Sequence, residues 1–393
     1  MLEKYQYIMM LENWITENGH RGYDPFDLMD WIINHLGNSP DKFLDKIRNK
    51  ILSKLEKIAP ILIRKILNIK PKENAKAIGL LFASYVNLFY VTRNKIYLGK
   101  ANQCKKWLLE NYSEKYKGMS WGYPFDWQSK KLIPKHTPSG VVTAIVGDGF
   151  WRDYKLLKDK DSLDVCRQIC DFFLNELNIQ KIDQGKICFS YTPIDDFQVH
   201  NANLFVAEFL IRIGEEVGNK NYISYGKMAT NFSISQQNEN GSIFYWGKDQ
   251  NHYNPAHLDH YHTGFELRML YSIAKLTKGK KYQKAFEEYY SFYERNFFAQ
   301  DGFPKFSPDS LYPIDIHTCA ESILCNCVFK DKFEKKNVEN LIASINHKML
   351  TEQGWYVYRI EKICGLKIKT RIPYLRWGQS WMLRALTEYL LIL

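Results

Sequence analysis

Asp259, His260, Tyr261 and His262 stand in a row at the head of "DHYHTGFELRML" (259–270), directly before an apolar stretch. Two imidazoles, a phenol and a carboxylate in four residues can cap a helix, hold a metal or move protons. Similar clusters precede other apolar stretches. "SYTPIDDFQVHNAN" carries Tyr191, Asp195, Asp196, His200 and Asn201, and "YPIDIHTCAE" carries Asp315, His317 and Glu321. "WGYPFDWQ" carries Trp121, Tyr123, Asp126 and Trp127, and "RIPYLRWGQSW" carries Arg371, Tyr374, Arg376 and Gln379. Of the ten histidines, seven lie in or beside these loops: His136, His200, His252, His257, His260, His262 and His317.

Proton transfer is the chemistry these types suit best. A Tyr or His on each face of a sugar serves epimerisation or elimination, both of which begin by removing an acidified C–H proton. Tyr261, His260, His262, Tyr191 and His200 are the candidates. Hydrolysis needs two carboxylates across the scissile bond, and Asp126, Asp195, Asp196, Asp259, Asp315 and Glu321 supply enough of them. Arg376 and Arg371 suit a carboxylate or phosphate, which guanidinium binds bidentately. Trp121, Trp127 and Trp246 offer faces for sugar rings. Tyr123, Tyr191, Asn201, Asp315, His317 and Gln379 complete the expected saccharide-binding set. Asp315, His317, Cys319 and His262 are ligand types for zinc, but His317 and Cys319 would point about 200° apart on a helix. The expectation is therefore no cofactor, with zinc as the lesser alternative. A plainer reading stands beside each candidate. An Asp before a helix is often only an N-cap worth roughly 1 kcal/mol. The recurrence of His200, His262 and His317 fits either one repeated structural bond or a convergent ring.

The elements that would position these residues repeat. Five segments share a Gly, a short aromatic strand-like piece, a polar loop and an apolar helix, beginning at Gly118, Gly185, Gly241, Gly302 and Gly354. A near-constant period of this length means stacked supersecondary units. Apolar helices are expected over 75–93, 139–155, 200–214, 262–276, 317–328 and 377–392. More polar partners are expected near 99–114, 161–179, 219–237, 281–298 and 332–350. Such a set makes an all-α (α/α)6 toroid, a six-hairpin barrel with short β-like segments in its long loops. It is expected to span residues 1–393 as a single domain, with the N-terminal helices of 1–70, either 1–17 or 42–70, closing the ring. The inner helices all run one way, so their N-termini and the long loops 238–261, 299–316 and 351–376 share one face. Positive dipole ends and unpaired N–H groups there favour an anionic or hydroxyl-rich ligand.

The net charge of +11 is uneven. Residues 41–76 hold eleven Lys/Arg against four Asp/Glu. Segment 41–70 reads as a basic amphipathic helix through Phe43, Ile47, Ile51, Leu55 and Ile58, broken at Pro60 and Pro71. It suits a solvated outer helix or contact with an anionic membrane through Lys50, Lys54 and Lys57. Nothing resembles a nucleic-acid module. The eight cysteines show no CxxC or finger spacing, and the N-terminus lacks the pattern of a signal peptide. A reducing, cytoplasmic protein with free thiols is expected, peripheral to the inner membrane if segment 41–70 touches it.

Together "GYDPFD" (Gly22–Asp27), "WGYPFDWQ", "FSYTPIDDFQVHNAN", "DHYHTGF", "YPIDIHTCA" and "LRWGQSWM" resemble a family of bacterial α/α-toroid proteins found with capsule and O-antigen biosynthesis. "DHYHTGFELRMLYSI" locally resembles the tyrosine-bearing segment of glucuronyl C5-epimerases, which implies an acid/base role for Tyr261. The resemblances imply an enzyme of surface-polysaccharide biosynthesis acting on an anionic or lipid-linked saccharide, an epimerase or lyase first. The alternatives are a glycoside hydrolase, a non-catalytic saccharide-binding or assembly factor, and a zinc-dependent prenyltransferase-like protein.

Overall fold

The computed structural model describes residues 6–36, 52, 54–253, 257–329, 332 and 335–393. In chain order the helices are α1 (Gln6–Asn18), α2 (Asp27–Leu36), α3 (Pro60–Ile66), α4 (Ala75–Thr92), α5 (Lys95–Glu110), α6 (Gly140–Arg152) and α7 (Lys160–Asn175). Then follow α8 (His200–Val217), α9 (Lys220–Ser235), α10 (His260–Thr277), α11 (Lys280–Asn296), α12 (Ile316–Val328), α13 (Lys335–Met349) and α14 (Ser380–Leu391).

The fold is an α/α toroid. Inner helices α4, α6, α8, α10, α12 and α14 touch in that order, and α14 returns to α4. The inner helices are apolar nearly all round because each packs on two ring neighbours and an outer partner. On α4 every residue from Ala75 to Leu88 is buried. The outer helices are amphipathic, with one stripe inward: α11 buries Tyr282, Phe286, Tyr289 and Tyr293 on one face. Each such side chain contributes roughly 1.5–3 kcal/mol by leaving water. The short antiparallel β pairs lie in the connectors, among them a hairpin of the strands Ile179–Asp183 and Lys186–Phe189. A second joins the strands Arg359–Ile363 and Leu366–Thr370.

The repeat glycines explain their own recurrence. Gly118, Gly185, Gly241, Gly302 and Gly354 all have positive φ, between 77° and 92°. Three also press on an outer helix. A Cβ would meet the Gln168 carbonyl oxygen at 2.2 Å from Gly118, that of Glu288 at 2.3 Å from Gly241, and that of Met10 at 2.5 Å from Gly354. In the last case the outer helix is α1, which also packs on α14.

The structure corrects two sequence boundaries. Helix α10 starts at His260, not His262. Helix α14 starts at Ser380, after a wide turn over Leu375–Gln379, rather than at Trp377. In segment 41–70 the expected break at Pro60 is present. Phe43, Ile47, Lys50 and Ile51 lie outside the described residues. Residues 54–58 are helical, Ala59 breaks the helix, and Pro60 opens α3. Leu28, Ile32, Ile63 and Ile69 form a small separate core there. Arg64 is fully buried and holds Asp27 at 2.7 Å and Glu56 at 2.8 Å.

The two ends of the barrel axis differ. At the C-terminal end of the inner helices a cavity of about 70 Å³ is lined by Asp148, Arg152, Arg212, Arg268, Arg384 and Glu388 among apolar side chains. Asp148 meets Arg152 at 3.0 Å, Arg212 at 2.9 Å and Arg384 at 3.1 Å. Glu388 meets Arg384 at 2.6 Å and Arg152 at 3.0 Å. Glu208 pairs Arg212 at 2.8 Å, and Glu321 pairs Arg268. Four guanidiniums and four carboxylates thus close that end.

Candidate functional site

The N-terminal ends of the inner helices build the site, and the register there is set by caps. Asp259 accepts from the His262 N–H at 2.9 Å, and Asp315 accepts from the N–H groups of His317 at 2.8 Å and Thr318 at 3.2 Å. The equivalent histidines are therefore His200 and His260, each the first residue of its helix. Both face outward. His260 Nδ1–H donates to the Lys305 carbonyl at 2.9 Å, so its Nε2 accepts from the Tyr293 hydroxyl at 2.7 Å. His200 bonds Ser233 at 3.0 Å and Gln236 at 3.2 Å. Ser233 and Tyr293 occupy matching positions on α9 and α11, so each histidine is tied to the same place on its outer helix, His200 through Nδ1 and His260 through Nε2. Burial lowers both imidazoles to about 4 and keeps them neutral. The catalytic expectation for His200 and His260 gives way to a structural role, because both ring nitrogens of each are hydrogen-bonded within the chain, His200 to Ser233 and Gln236 and His260 to Tyr293 and the Lys305 carbonyl.

The next residue in each unit is Lys76 on α4, Asn201 on α8, Tyr261 on α10 and His317 on α12. Tyr261 and His317 stack with centroids 4.7 Å apart and planes 12° apart. Trp381 covers the other face of His317 at 4.8 Å. Lys76 Nζ lies 5.5 Å from the Trp381 ring and 5.9 Å from Phe265. Neither nitrogen of the buried His317 has a hydrogen-bond partner among the described residues, nor has Asn201 Oδ1 or Trp381 Nε1. Buried polar groups normally find partners, so this concentration of exceptions at one level marks the site.

His262 completes it. Its ring lies 4.2 Å from Tyr261 and 4.6 Å from Tyr245. Asp259 Oδ2 accepts from His262 Nδ1–H at 2.7 Å and from His257 Nε2–H at 2.9 Å. With Nδ1 protonated by that bond, Nε2 of His262 carries the basic lone pair. Burial opposes the charge of Asp259, but His262 and His257 outweigh it and hold the carboxyl well below its ordinary range. Tyr261 is pushed well above 10, first by burial and then by Asp259 and Asp315, so it stays protonated. Burial, then Lys76 and Arg376, drive His317 well below 6.5, so it is neutral.

The cations divide sharply. Arg376 is bound through two nitrogens to Asp24, at 2.7 Å for Nη2, so the guanidinium expected to grip a substrate anion is occupied within the chain. Arg359 is paired with Asp315. Lys76 has no carboxylate partner among the described residues. Burial, then Arg376, lowers it to about 7.

The remaining expected residues fall into two groups. Tyr123, Tyr191 and Trp127 line the same face. Tyr123 and Tyr191 are hydrogen-bonded, and Trp127 meets Tyr191 edge-on at 5.6 Å. The others are engaged elsewhere. Trp121 is core, its indole N–H donating to the Leu108 carbonyl at 3.0 Å. Gln379 is spent on both backbone groups of Tyr356, at 2.9 and 2.8 Å. Lys130 covers the Trp246 ring at 3.4 Å. Asp195 ties its own loop by accepting from Tyr191 N–H at 3.0 Å, Thr192 N–H at 2.8 Å and Phe197 N–H at 3.0 Å. Asp126 accepts from Asn34 at 3.0 Å and from the Lys135 N–H at 2.6 Å. Asp196 is exposed, and Asp315 serves as cap and Arg359 partner. Asp126, Asp195 and Asp315 are thus each engaged within the chain. Cys319 lies against Met349 at 3.8 Å, apart from His317. Among the described residues the cluster able to hold a metal is instead His257, Asp259 and His262, with ligand atoms within 4.8 Å of one another. Their present spacing is that of hydrogen bonds. The side chain of His252 lies outside the described residues.

Lys76, Tyr245, Trp377 and Trp381 escaped the sequence reading. Only Lys76 left a signal, as a lone charge in the apolar run "NAKAIGLLFASY".

No family model matches the chain, and no curated protein sequence does. Solved structures share the fold. Cellobiose 2-epimerase from Bacillus thermoamylovorans superposes with a TM-score of 0.62 at 13% identity, over 82% of this chain and 88% of that one. D-mannose isomerase gives 0.59 at 13% identity, over 81% and 88%. An unsaturated glucuronyl hydrolase specific for heparin gives 0.57 at 12% identity, over 81% and 86%.

Proposed function

We propose that the chain is a carbohydrate-active enzyme that epimerises a saccharide by moving a proton off and onto carbon. One observation carries the reading: Tyr261 lies between His262 and His317, putting three proton carriers side by side at adjacent helix starts. His262 Nε2, freed by the Asp259 bond, is the base that takes the acidified C–H proton. Protonated Tyr261, backed by His317, supplies the proton that returns to carbon once the intermediate has turned its other face toward it. Lys76 and the converging helix N-termini stabilise the enolate-like oxygen between the two steps, since donors aimed at developing charge act most strongly in a dry site. The unpaired Lys76 favours a substrate with an anionic group. The structural neighbours, cellobiose 2-epimerase and D-mannose isomerase among them, support saccharide as the substrate class. The sequence motifs support a setting in surface-polysaccharide synthesis and a lipid-linked carrier. A lyase would share the first step and then expel a leaving group.

The test is mass spectrometry of the glycan pool from a strain lacking the gene, before and after adding purified protein. Epimerisation leaves mass unchanged while chromatography or NMR shows a new isomer. Cleavage with gain of one water would replace this reading by hydrolysis, and an unchanged pool would replace it by binding alone.

A further inference from the structure

Half of the large apolar side chains exposed among the described residues stand on two neighbouring elements. Residues 54–58 with α3 expose Leu55, Ile58, Ile61, Leu62 and Ile66, with Ile58 at 74% and Ile66 at 72%. The tip of the 359–370 hairpin exposes Ile363 and Leu366, the latter at 71%. The elements are tied together. Lys57 bridges Glu361 at 3.1 Å, and the Thr370 hydroxyl donates to the Lys57 carbonyl at 3.3 Å. Lysines surround the apolar tips. Lys54, Lys65, Lys362, Lys367 and Lys369 are exposed, while the local acids are neutralised, Glu56 by Arg64 and Glu361 by Lys57. The hairpin also belongs to the long 351–376 connector on the site face.

Isolated apolar side chains at a surface need no explanation, but a cluster rimmed by one sign of charge does. We propose that this composite face docks on an anionic lipid surface, the apolar tips entering the headgroup layer and the lysines contacting acidic phospholipids. Charge complementarity chooses this occupant. A second copy would set two lysine-rich faces against each other, which repel. The inference extends the membrane contact expected of segment 41–70 to the hairpin, and it stands whether or not the proposed reaction is right.

The test is co-sedimentation of the full chain with phosphatidylcholine vesicles, with and without phosphatidylglycerol. Binding is expected only to the anionic vesicles, weakening as salt screens the charges. The triple variant Lys362→Glu, Lys367→Glu, Lys369→Glu should lower partitioning by roughly a hundredfold or more, at about fivefold per lysine lost. The double variant Ile58→Glu, Leu366→Glu should also weaken it, and neither should change the far-UV CD spectrum, because all five side chains are exposed. No binding to anionic vesicles at low salt, or equal binding by these variants, overturns the proposal. So does a concentration-dependent dimer, seen by analytical ultracentrifugation and dissolved by the double variant, which would assign the face to a second copy.

Discussion

The same six helices end in two chemically opposite ways. At their C-terminal ends, four guanidiniums face four carboxylates, and every charge has an opposite partner at the barrel axis. At their N-terminal ends, His317, Asn201 and Trp381 sit buried with polar atoms that no described residue satisfies, beside the buried Lys76, which has no carboxylate partner among those residues. Both ends are rich in titratable groups, so composition alone does not separate them. Pairing does. Groups that satisfy one another hold the ring shut, whereas groups left open are disposed toward something from outside.

Substitutions at the two ends should therefore fail in different ways. The largest effect is expected from His262→Gln and His317→Gln, each lowering turnover by about 10²–10⁴-fold, the range for losing a positioned acid or base. Thermal melting should show the fold retained. Near-normal turnover in both would erase the distinction between the ends. Asp148→Asn should do the reverse. It leaves four guanidiniums facing three carboxylates, costs on the order of 3 kcal/mol in chemical denaturation, and leaves turnover per folded molecule unchanged.

The comparison sharpens within the site end itself. His200→Ala and His260→Ala should each cost about 1–3 kcal/mol of stability through the buried hydrogen bonds that are lost, without loss of turnover in the folded fraction. A catalytic collapse in either would return these histidines to the mechanism. The smallest effect concerns Lys76. Its ammonium is deprotonated as pH rises through about 7, so affinity for an anionic saccharide should fall above that pH by about tenfold. The Lys76→Met variant should bind weakly with a flat profile. The same depressed value means that the unfolded chain holds this proton from about 7 up to its ordinary 10.5. Stability therefore rises with pH across that window in the wild type and not in the variant.

Much of the fold is legible in the sequence because one pattern is written five times. The positive-φ glycines and the all-round apolar helices carry local information that survives without tertiary context. The site is legible only in part. "HLDHYHTGF" offers two starting points for the helix, and the one fixed by the Asp259 cap shifts the repeat by two residues. That shift exchanges His262 for His260 as the partner of His200, and so separates the structural histidines from Tyr261 and His317. Arg376 looks available to a substrate because its partner Asp24 lies on the opposite flank of the sequence. No spacing rule reveals that pair, nor that Lys130 covers Trp246. Lys76 is hidden for another reason: a single lysine near a helix start usually reaches solvent, and only ring closure buries it.

The most direct test of the central claim is deuterium uptake from D₂O into the glycan pool of the deletion strain. Wild-type protein should place deuterium on carbon in a product of otherwise unchanged mass, and His262→Gln and His317→Gln should abolish that signal while still binding the saccharide. Conversion by the wild type without any carbon-bound deuterium, or undiminished exchange in both variants, would contradict proton transfer at this site.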